Sequence, residues 1–229
     1  FCRGLVLPAF VRETELVSLT GGPGSYPWIG GEVVSSDGVR AGEDDYLALT
    51  NEYVVDHSTS KWCRLSRESM MVGALARVYN NLDGLRPEAR RAADVLGLAE
   101  GVHNPFLNNL AQLVEVVHVA RDAVAIVEEL LDEGPGPVAV DVTPRAGAGT
   151  SAVEVPRGIL YHHYAFDGDG RITHADCVIP TTQNNANIHH DLPALAARAL
   201  REGADDARIS LLCQMLVRAY DPCISCSVH

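Results

Sequence analysis

One long amphipathic segment does most to limit the folds open to this chain. It begins after Asn104-Pro105 and ends before Gly134-Pro135, and its apolar residues recur at steps of three and four, the period of an α-helix. They are Leu107, Leu110, Leu113, Val114, Val117, Val124, Val127 and Leu131. A helix of this length spans on the order of 40 Å. We therefore predict a core helix within a helical bundle.

The segments before this helix predict loops, short strands and further helices. Residues 1–43 are interrupted by glycine and proline too often for long helices, which favours loops and short strands. Helical spacing follows from Asp44 to about Tyr79. A second helix is predicted for Pro87–Leu96, with proline at an acceptable first-turn position.

The segments after the long helix predict a hairpin and two more helices. A stretch rich in glycine and proline after Gly134 reads as a loop that leads into a strand. Residues 159–180 contain two β-prone runs joined by Asp167-Gly168-Asp169-Gly170, which is typical of a hairpin turn. Helices are predicted from about Asp191 to Glu202 and from Asp205 to Tyr220, and Pro222 follows the second.

Composition and charge exclude several classes of protein. Apolar residues make up 47% of the chain and charged residues 21%, which is enough apolar material to bury a core. The formal net charge is -12 at pH 7 with both signs interspersed, which argues against nucleic acid as the main partner. No apolar run approaches the roughly 18 residues of a membrane span, and the first residues lack the layout of a signal peptide. A cytoplasmic location is the expectation.

Two of the six cysteines form a C-x-x-C motif near the end of the sequence, in CISCSVH. Thiolates at this spacing can bind one soft metal, and His229, three residues after Cys226, can serve the site as well. The spacing alone leaves open half of a structural zinc site or a redox-active dithiol. A zinc site would need another ligand pair, which no other closely spaced Cys/His pair supplies. A redox dithiol opens a helix after a strand, whereas this motif follows a helix.

The remaining cysteines and the paired histidines are expected to be structural. The cysteines are Cys2, Cys63, Cys177 and Cys213, and scattered thiols of this kind are usually small buried residues. The histidine pairs are His162-His163 and His189-His190. Neighbours on a strand point to opposite faces, so the first pair cannot bind one ion in regular geometry.

Four ordered segments carry a resemblance to a known family. They are HSTSKW with RESMMVGALARVYNN, EVPRGILYHHY, VIPTTQNN and RAYDPCISCSVH. Together they are similar to the large subunit of nickel-iron hydrogenases, and TTQNN and SCSVH look most like its soluble, cofactor-linked members. The resemblance implies that residues 1–229 are the C-terminal half of the large-subunit domain. It also implies an α+β fold, mainly α, in which a bundle of long helices carries small peripheral β-hairpins.

The resemblance implies metal ligands and a charged pair above them. Cys223 matches a terminal nickel thiolate, and Cys226 matches the thiolate that bridges nickel and iron. Soft, strongly donating thiolates suit this centre. Arg157 matches an arginine above the open face of the metal pair, and Asp221 matches the carboxylate that orients it.

The resemblance also implies the surroundings of the centre. Thr181 matches a hydroxyl that hydrogen-bonds a cyanide on the iron, while Pro180 and Ile179 match the apolar wall around the cyanide and carbonyl ligands. His229 and the backbone carbonyl of Leu160 match ligands of a nearby magnesium or iron ion. In this family a C-terminal extension is removed after that histidine once nickel is inserted, so the resemblance implies a mature chain.

The sequence departs from the family at its N-terminal side. The other two thiolates come from an Arg-x-Cys-Gly-x-Cys motif that has no match here. Three explanations are open. The large subunit is split into two chains, its first half lies outside this sequence, or the chain is a degenerate remnant. Degeneration predicts loss of Cys223, Cys226 and Arg157, and all three are present. We therefore favour a split or partial subunit of a working enzyme.

The implied function is reversible heterolytic cleavage of dihydrogen at a nickel-iron centre. Electrons would leave through iron-sulfur clusters, and this chain has too few clustered cysteines to bind one. The implied partners are an iron-sulfur small subunit and the N-terminal half of the large subunit, with cofactor-reducing subunits as further candidates. The rival interpretation is a non-catalytic, hydrogenase-like scaffold subunit of an electron-transfer complex.

Overall fold

The computed structural model describes residues 4–98, 102–136, 139 and 142–228. Its helices are α1 (Tyr46–Thr50), α2 (Ala74–Asn80), α3 (Pro87–Leu96), α4 (Asn108–Glu133), α5 (Pro180–Arg201), α6 (Asp206–Tyr220) and α7 (Ile224–Ser227). Its strands are β1 (Glu15–Thr20), β2 (Glu32–Ser35), β3 (Arg40–Gly42), β4 (Met70–Met71), β5 (Gly147–Val155), β6 (Gly158–Phe166) and β7 (Ile172–Val178). Helices joined to small sheets confirm the predicted α+β, mainly α, fold class.

The strands form two sheets. The first has the order β3-β2-β1-β4, with β4 parallel to β1 and the other pairs antiparallel. The second is the antiparallel meander β5-β6-β7. Its second turn confirms the predicted hairpin, because Asp167 Oδ1 accepts hydrogen bonds from the backbone N–H groups of Asp169 and Arg171. This is the self-capping turn that aspartate favours.

The core consists of two hydrophobic clusters. The first joins the helices α2 to α6, and Leu75, Val114 and Leu216 at its centre are almost completely buried. The second lies between the sheets, where β1 and β2 meet β6 and β7. Its members include Val17, Leu19, Val33, Ile159, Tyr161 and Val178. Both clusters remove apolar surface from water, the main favourable contribution to folding.

The helix predicted from Asp44 to about Tyr79 is largely wrong. The only α-helices there are α1 and α2, and Met70 and Met71 instead form the short strand β4, paired with Glu15 and Leu16 of β1. Gly73 separates this strand from α2 with a φ of 117°, a conformation that glycine adopts most readily. The apolar spacing that suggested one helix therefore spans a strand and the first turn of a helix.

Helix α5 is longer than predicted. It begins at Pro180, not near Asp191, and its first turns contain the polar residues Thr182, Gln183 and Asn184. These side chains are buried and hydrogen-bonded: Gln183 Nε2 donates to the carbonyl of Ile159, and Asn184 Oδ1 accepts from the N–H of Val72. In the sequence, a run of polar side chains is typical of a loop. Here these side chains are buried because they hydrogen-bond to backbone groups of neighbouring elements.

The long helix α4 is confirmed, but only its first half is core. Leu110 and Val114 are buried, whereas Val124, Val127 and Leu131 are 49%, 54% and 79% exposed. The second half of the predicted apolar stripe is therefore exposed at the surface. Across the ranges that the structure describes, no helix combines the length and the apolar character needed to cross a membrane.

We expect Leu216→Ala on α6 to lower the free energy of unfolding by about 2–5 kcal/mol, since it opens a cavity in a closely packed core. Leu211→Ala on the same helix is the matched control, because Leu211 is 44% exposed. The control should cost less than about 1 kcal/mol. Urea unfolding followed by tryptophan fluorescence measures both, and equal losses would contradict the packing described here.

Candidate metal centre

A cavity of about 330 Å³ brings together three separate segments of the chain. They are the β5–β6 turn with the start of β6, the end of β7 with the start of α5, and the residues after α6. The lining residues are Val155, Arg157, Leu160, Cys177, Ile179, Pro180, Thr181, Cys223 and Cys226. Of the predicted site residues, Asp221 lies beside this lining against Arg157, and His229 lies outside the described residues.

The C-terminal segment reaches the cavity through a sharp turn at the end of α6. Asp221 has a left-handed backbone conformation, with φ of 48°, and its N–H donates to the carbonyl of Arg218. Aspartate tolerates this conformation better than most residues. Pro222 then prevents the helix from continuing. The N–H of Cys223 donates to Thr181 Oγ1 at 3.1 Å, which fixes the first cysteine against the start of α5.

The sulfur atoms of Cys223 and Cys226 are joined as a disulfide, and their Cα atoms lie 5.3 Å apart. This is the oxidised form of the pair that the resemblance predicted as two thiolates. Once reduced, the two sulfurs face one cavity and fit a soft metal. Within the described residues, no group of three or more His, Cys, Asp or Glu side chains could hold a metal ion. The pair can supply two thiolate ligands to one metal.

Arg157 and Asp221 form the predicted charged pair beside the cysteines. Arg157 Nε lies 3.3 Å from Asp221 Oδ2 and also donates to the backbone carbonyl of Asp221. The two side chains are 36% and 46% exposed, so water screens the pair and it adds little stability. Its effect is to orient the guanidinium at the edge of the cavity.

The walls of the cavity are mostly apolar. Ile179 and Pro180 line it where α5 begins, with Pro180 in the first turn, and Leu160 contributes from β6. Thr181 is 2% exposed, and its hydroxyl accepts the hydrogen bond from Cys223. A threonine hydroxyl can donate one hydrogen bond while it accepts another. That the backbone carbonyl of Leu160 binds a magnesium or iron ion stays a prediction.

Two residues that line the cavity, Val155 and Cys177, were not predicted from the sequence as site residues. Cys177 Sγ lies 3.3 Å from His162 Nδ1 and 3.7 Å from the hydroxyl of Tyr164. Its position two residues before Ile179 was the available signal, because alternate residues of a strand share a face. Cys63 agrees with expectation: it is fully buried, and burial raises the pKa of its thiol.

His162 and His163 are neighbours on β6 and make different contacts. His162 contacts Cys177 and Tyr164, while the ring of His163 contacts Thr150 Oγ1 at 2.9 Å. The two neighbouring rings therefore serve different hydrogen-bond partners and do not converge on one ion.

Comparison with known proteins identifies the family of this chain. A sequence profile of the nickel-dependent hydrogenase family matches residues 41–229. Sulfhydrogenase 1 subunit alpha of Pyrococcus furiosus is 36% identical over 206 residues, which cover 90% of this chain and 47% of that protein. The NAD-reducing hydrogenase HoxS subunit beta of Cupriavidus necator is 33% identical over 199 residues, covering 81% of this chain and 40% of that protein.

A solved structure agrees with these sequence matches. The crystal structure of an NAD+-reducing NiFe-hydrogenase in the H2-reduced state superposes with a TM-score of 0.79 at 28% sequence identity. The superposition covers 96% of this chain and 51% of that chain. The chain described here belongs to the nickel-dependent hydrogenase family. It spans about half the length of the curated relatives and of this solved chain.

We expect Gly158→Ala to disturb the turn that carries Arg157. Gly158 has a φ of 134°, and an added Cβ would lie 2.3 Å from Val72 Cγ2. Backbone strain and overpacking together should cost about 2 kcal/mol or more in the free energy of unfolding. Gly149→Ala on β5 is the control, because its Cβ would meet open space. Urea unfolding compares the two variants, and equal stability would contradict this description of the turn.

Proposed function

We propose that this chain supplies half of the catalytic metal centre of a nickel-iron hydrogenase that acts on dihydrogen. One observation carries the proposal: Cys223 and Cys226 meet in a mainly apolar cavity that Arg157 also lines. Soft sulfur ligands suit nickel and iron, and this chain belongs to a nickel-dependent family. The remaining two thiolates would come from the part of the large subunit that this sequence does not contain.

When bound, the nickel-iron centre supplies the redox and Lewis-acid chemistry for reversible heterolytic cleavage of dihydrogen. Cys223 and Cys226 would hold the centre as thiolates, and a thiolate sulfur can also accept a proton. Arg157, oriented by Asp221, would hold a positive charge beside the substrate. The walls of the cavity are apolar, and if the rest of the large subunit covers it, the loss of water would strengthen the electrostatic interactions within it.

The finer features of the centre are part of the same proposal. The hydroxyl of Thr181 would donate a hydrogen bond to a cyanide on the iron, and Ile179 and Pro180 would form the apolar surface against the cyanide and carbonyl ligands. A magnesium or iron ion would be bound by His229 and by the backbone carbonyl of Leu160.

The proposed partners follow from the incomplete site and the exposed helix surface. Relatives are named as subunits alpha and beta, which supports a heteromeric complex. The apolar residues in the second half of α4, such as Val127 and Leu131, are exposed and offer surface for the rest of the large subunit. An iron-sulfur small subunit would carry electrons away. We propose the cytoplasm as the location.

We expect Cys226→Ser to abolish dihydrogen-dependent viologen reduction by the purified complex, because a serine hydroxyl is a poor ligand for soft metals. Nickel content, measured by elemental analysis, should fall with the activity. Cys63→Ser is the matched control: Cys63 is buried outside the cavity lining and should leave nickel content and activity largely intact.

Two results would refute this proposal. Equal activity of Cys226→Ser and Cys63→Ser would show that the site has been assigned to the wrong residues. A wild-type complex that contains no nickel and reduces no viologen would support the scaffold interpretation instead. Retained zinc in such an inactive complex would identify a structural zinc protein.

A further inference from the structure

A buried arginine lies behind the turn that carries Arg157. Arg77 on α2 is 1% exposed, and its guanidinium forms a two-pronged ion pair with Glu115 of α4, at 2.5 and 2.8 Å. It also donates to Glu154 Oε2 of β5 at 2.8 Å. A buried arginine is stable only when its N–H groups are paired in this way. Arg77 therefore joins two helices to the second sheet.

The same guanidinium donates to two backbone carbonyls that directly precede Arg157. Nη1 donates to Val155 O at 2.9 Å, and Nη2 donates to Pro156 O at 3.2 Å. Together with the bonds to the two carboxylates, these contacts use all five N–H groups of the arginine. The two carboxylates pair with three of these N–H groups, and the two that remain are paired by carbonyls of the turn itself. The two carbonyl contacts additionally fix the path of the β5–β6 turn.

We propose that Arg77 is a positioning residue for Arg157, an inference that rests on the proposed hydrogenase function. Arg77 does not line the cavity; it acts through the backbone of Val155 and Pro156. The other side of the turn is held by Asn184 Nδ2, which donates to the carbonyl of Arg157 at 3.3 Å. The backbone that carries the catalytic guanidinium is thus fixed from both sides.

The two carboxylates explain why the guanidinium keeps one orientation. Glu154 Oε1 accepts from the N–H of Leu19 at 2.8 Å, which fixes this carboxylate against β1. Glu115 Oε1 accepts from the hydroxyl of Tyr26 at 2.7 Å. Both carboxylates are therefore also held by partners other than Arg77. Their positions fix the orientation of the planar guanidinium between them. That orientation directs its remaining N–H groups at the turn.

Arg77→Lys is the direct test, made in the assembled hydrogenase complex. Lysine keeps the positive charge, but its three N–H groups cannot bind two carboxylates and two carbonyls in one plane. We expect kcat for dihydrogen oxidation to fall at least tenfold with nickel content unchanged, because a displacement of about 1 Å at a catalytic group costs on the order of 100-fold. Hydrogen exchange of residues 155–160 should become faster in the same variant.

Asn80→Ala is the matched control for lost stability. Asn80 ends the same helix and donates to Leu16 O and Ser18 Oγ of β1, but it does not contact the turn. It should leave kcat and exchange of residues 155–160 within about twofold of the wild type. If Arg77→Lys does not fold, the neutral variant Arg77→Met with Glu115→Gln and Glu154→Gln replaces it, since it leaves no unpaired buried charge. That variant should show the same loss of kcat.

A double-mutant cycle with Arg157→Lys distinguishes positioning from general damage. If Arg77 acts through Arg157, Arg77→Lys should change kcat less than twofold once Arg157 is already lysine. The inference is overturned if the two losses multiply, or if Arg77→Lys is as active as Asn80→Ala in a nickel-containing complex. A wild-type complex without nickel or activity would instead refute the proposed function itself. The two failures are therefore distinguishable.

Discussion

The site depends on the hydrogen bonds that join the end of α6 to α5. Tyr220, the last residue of α6, donates its hydroxyl to Asp191 Oδ2 at 2.6 Å and accepts from Asn187 Nδ2 at 2.6 Å. Burial raises the pKa of Tyr220 well above its usual value, so the hydroxyl remains a donor. Arg12 pairs with the same aspartate. These contacts fix the point from which the cysteine segment departs toward the cavity.

The cavity lies where the helix bundle meets the second sheet. The sheet contributes Arg157 through the β5–β6 turn, α5 contributes Thr181 through its first turn, and the segment after α6 contributes Cys223 and Cys226. Each piece is held by buried polar contacts to another piece, such as the bond from Cys223 to Thr181. The cavity is thus lined by residues far apart in sequence, on a chain of about half the length of its relatives.

The sequence predicted helices with a regular apolar period and turns with distinctive residues. The bounds of α3 and the Asp167 hairpin are examples. Prediction from the sequence failed where polar side chains are buried, because the polar residues in the first turns of α5 are typical of a loop. It also could not find Arg77, since a sequence does not reveal that a charged residue is enclosed by two carboxylates and two carbonyls from other elements.

Nickel X-ray absorption on the purified complex tests the central claim most directly, namely that the terminal cysteine pair binds the metal centre. Sulfur neighbours at roughly 2.2–2.3 Å are expected, as for other metal–thiolate bonds. Cys223→Ser should remove sulfur from this shell or prevent nickel binding, while Cys63→Ser should leave the spectrum unchanged. A complex with a full nickel–sulfur shell in Cys223→Ser would contradict the account.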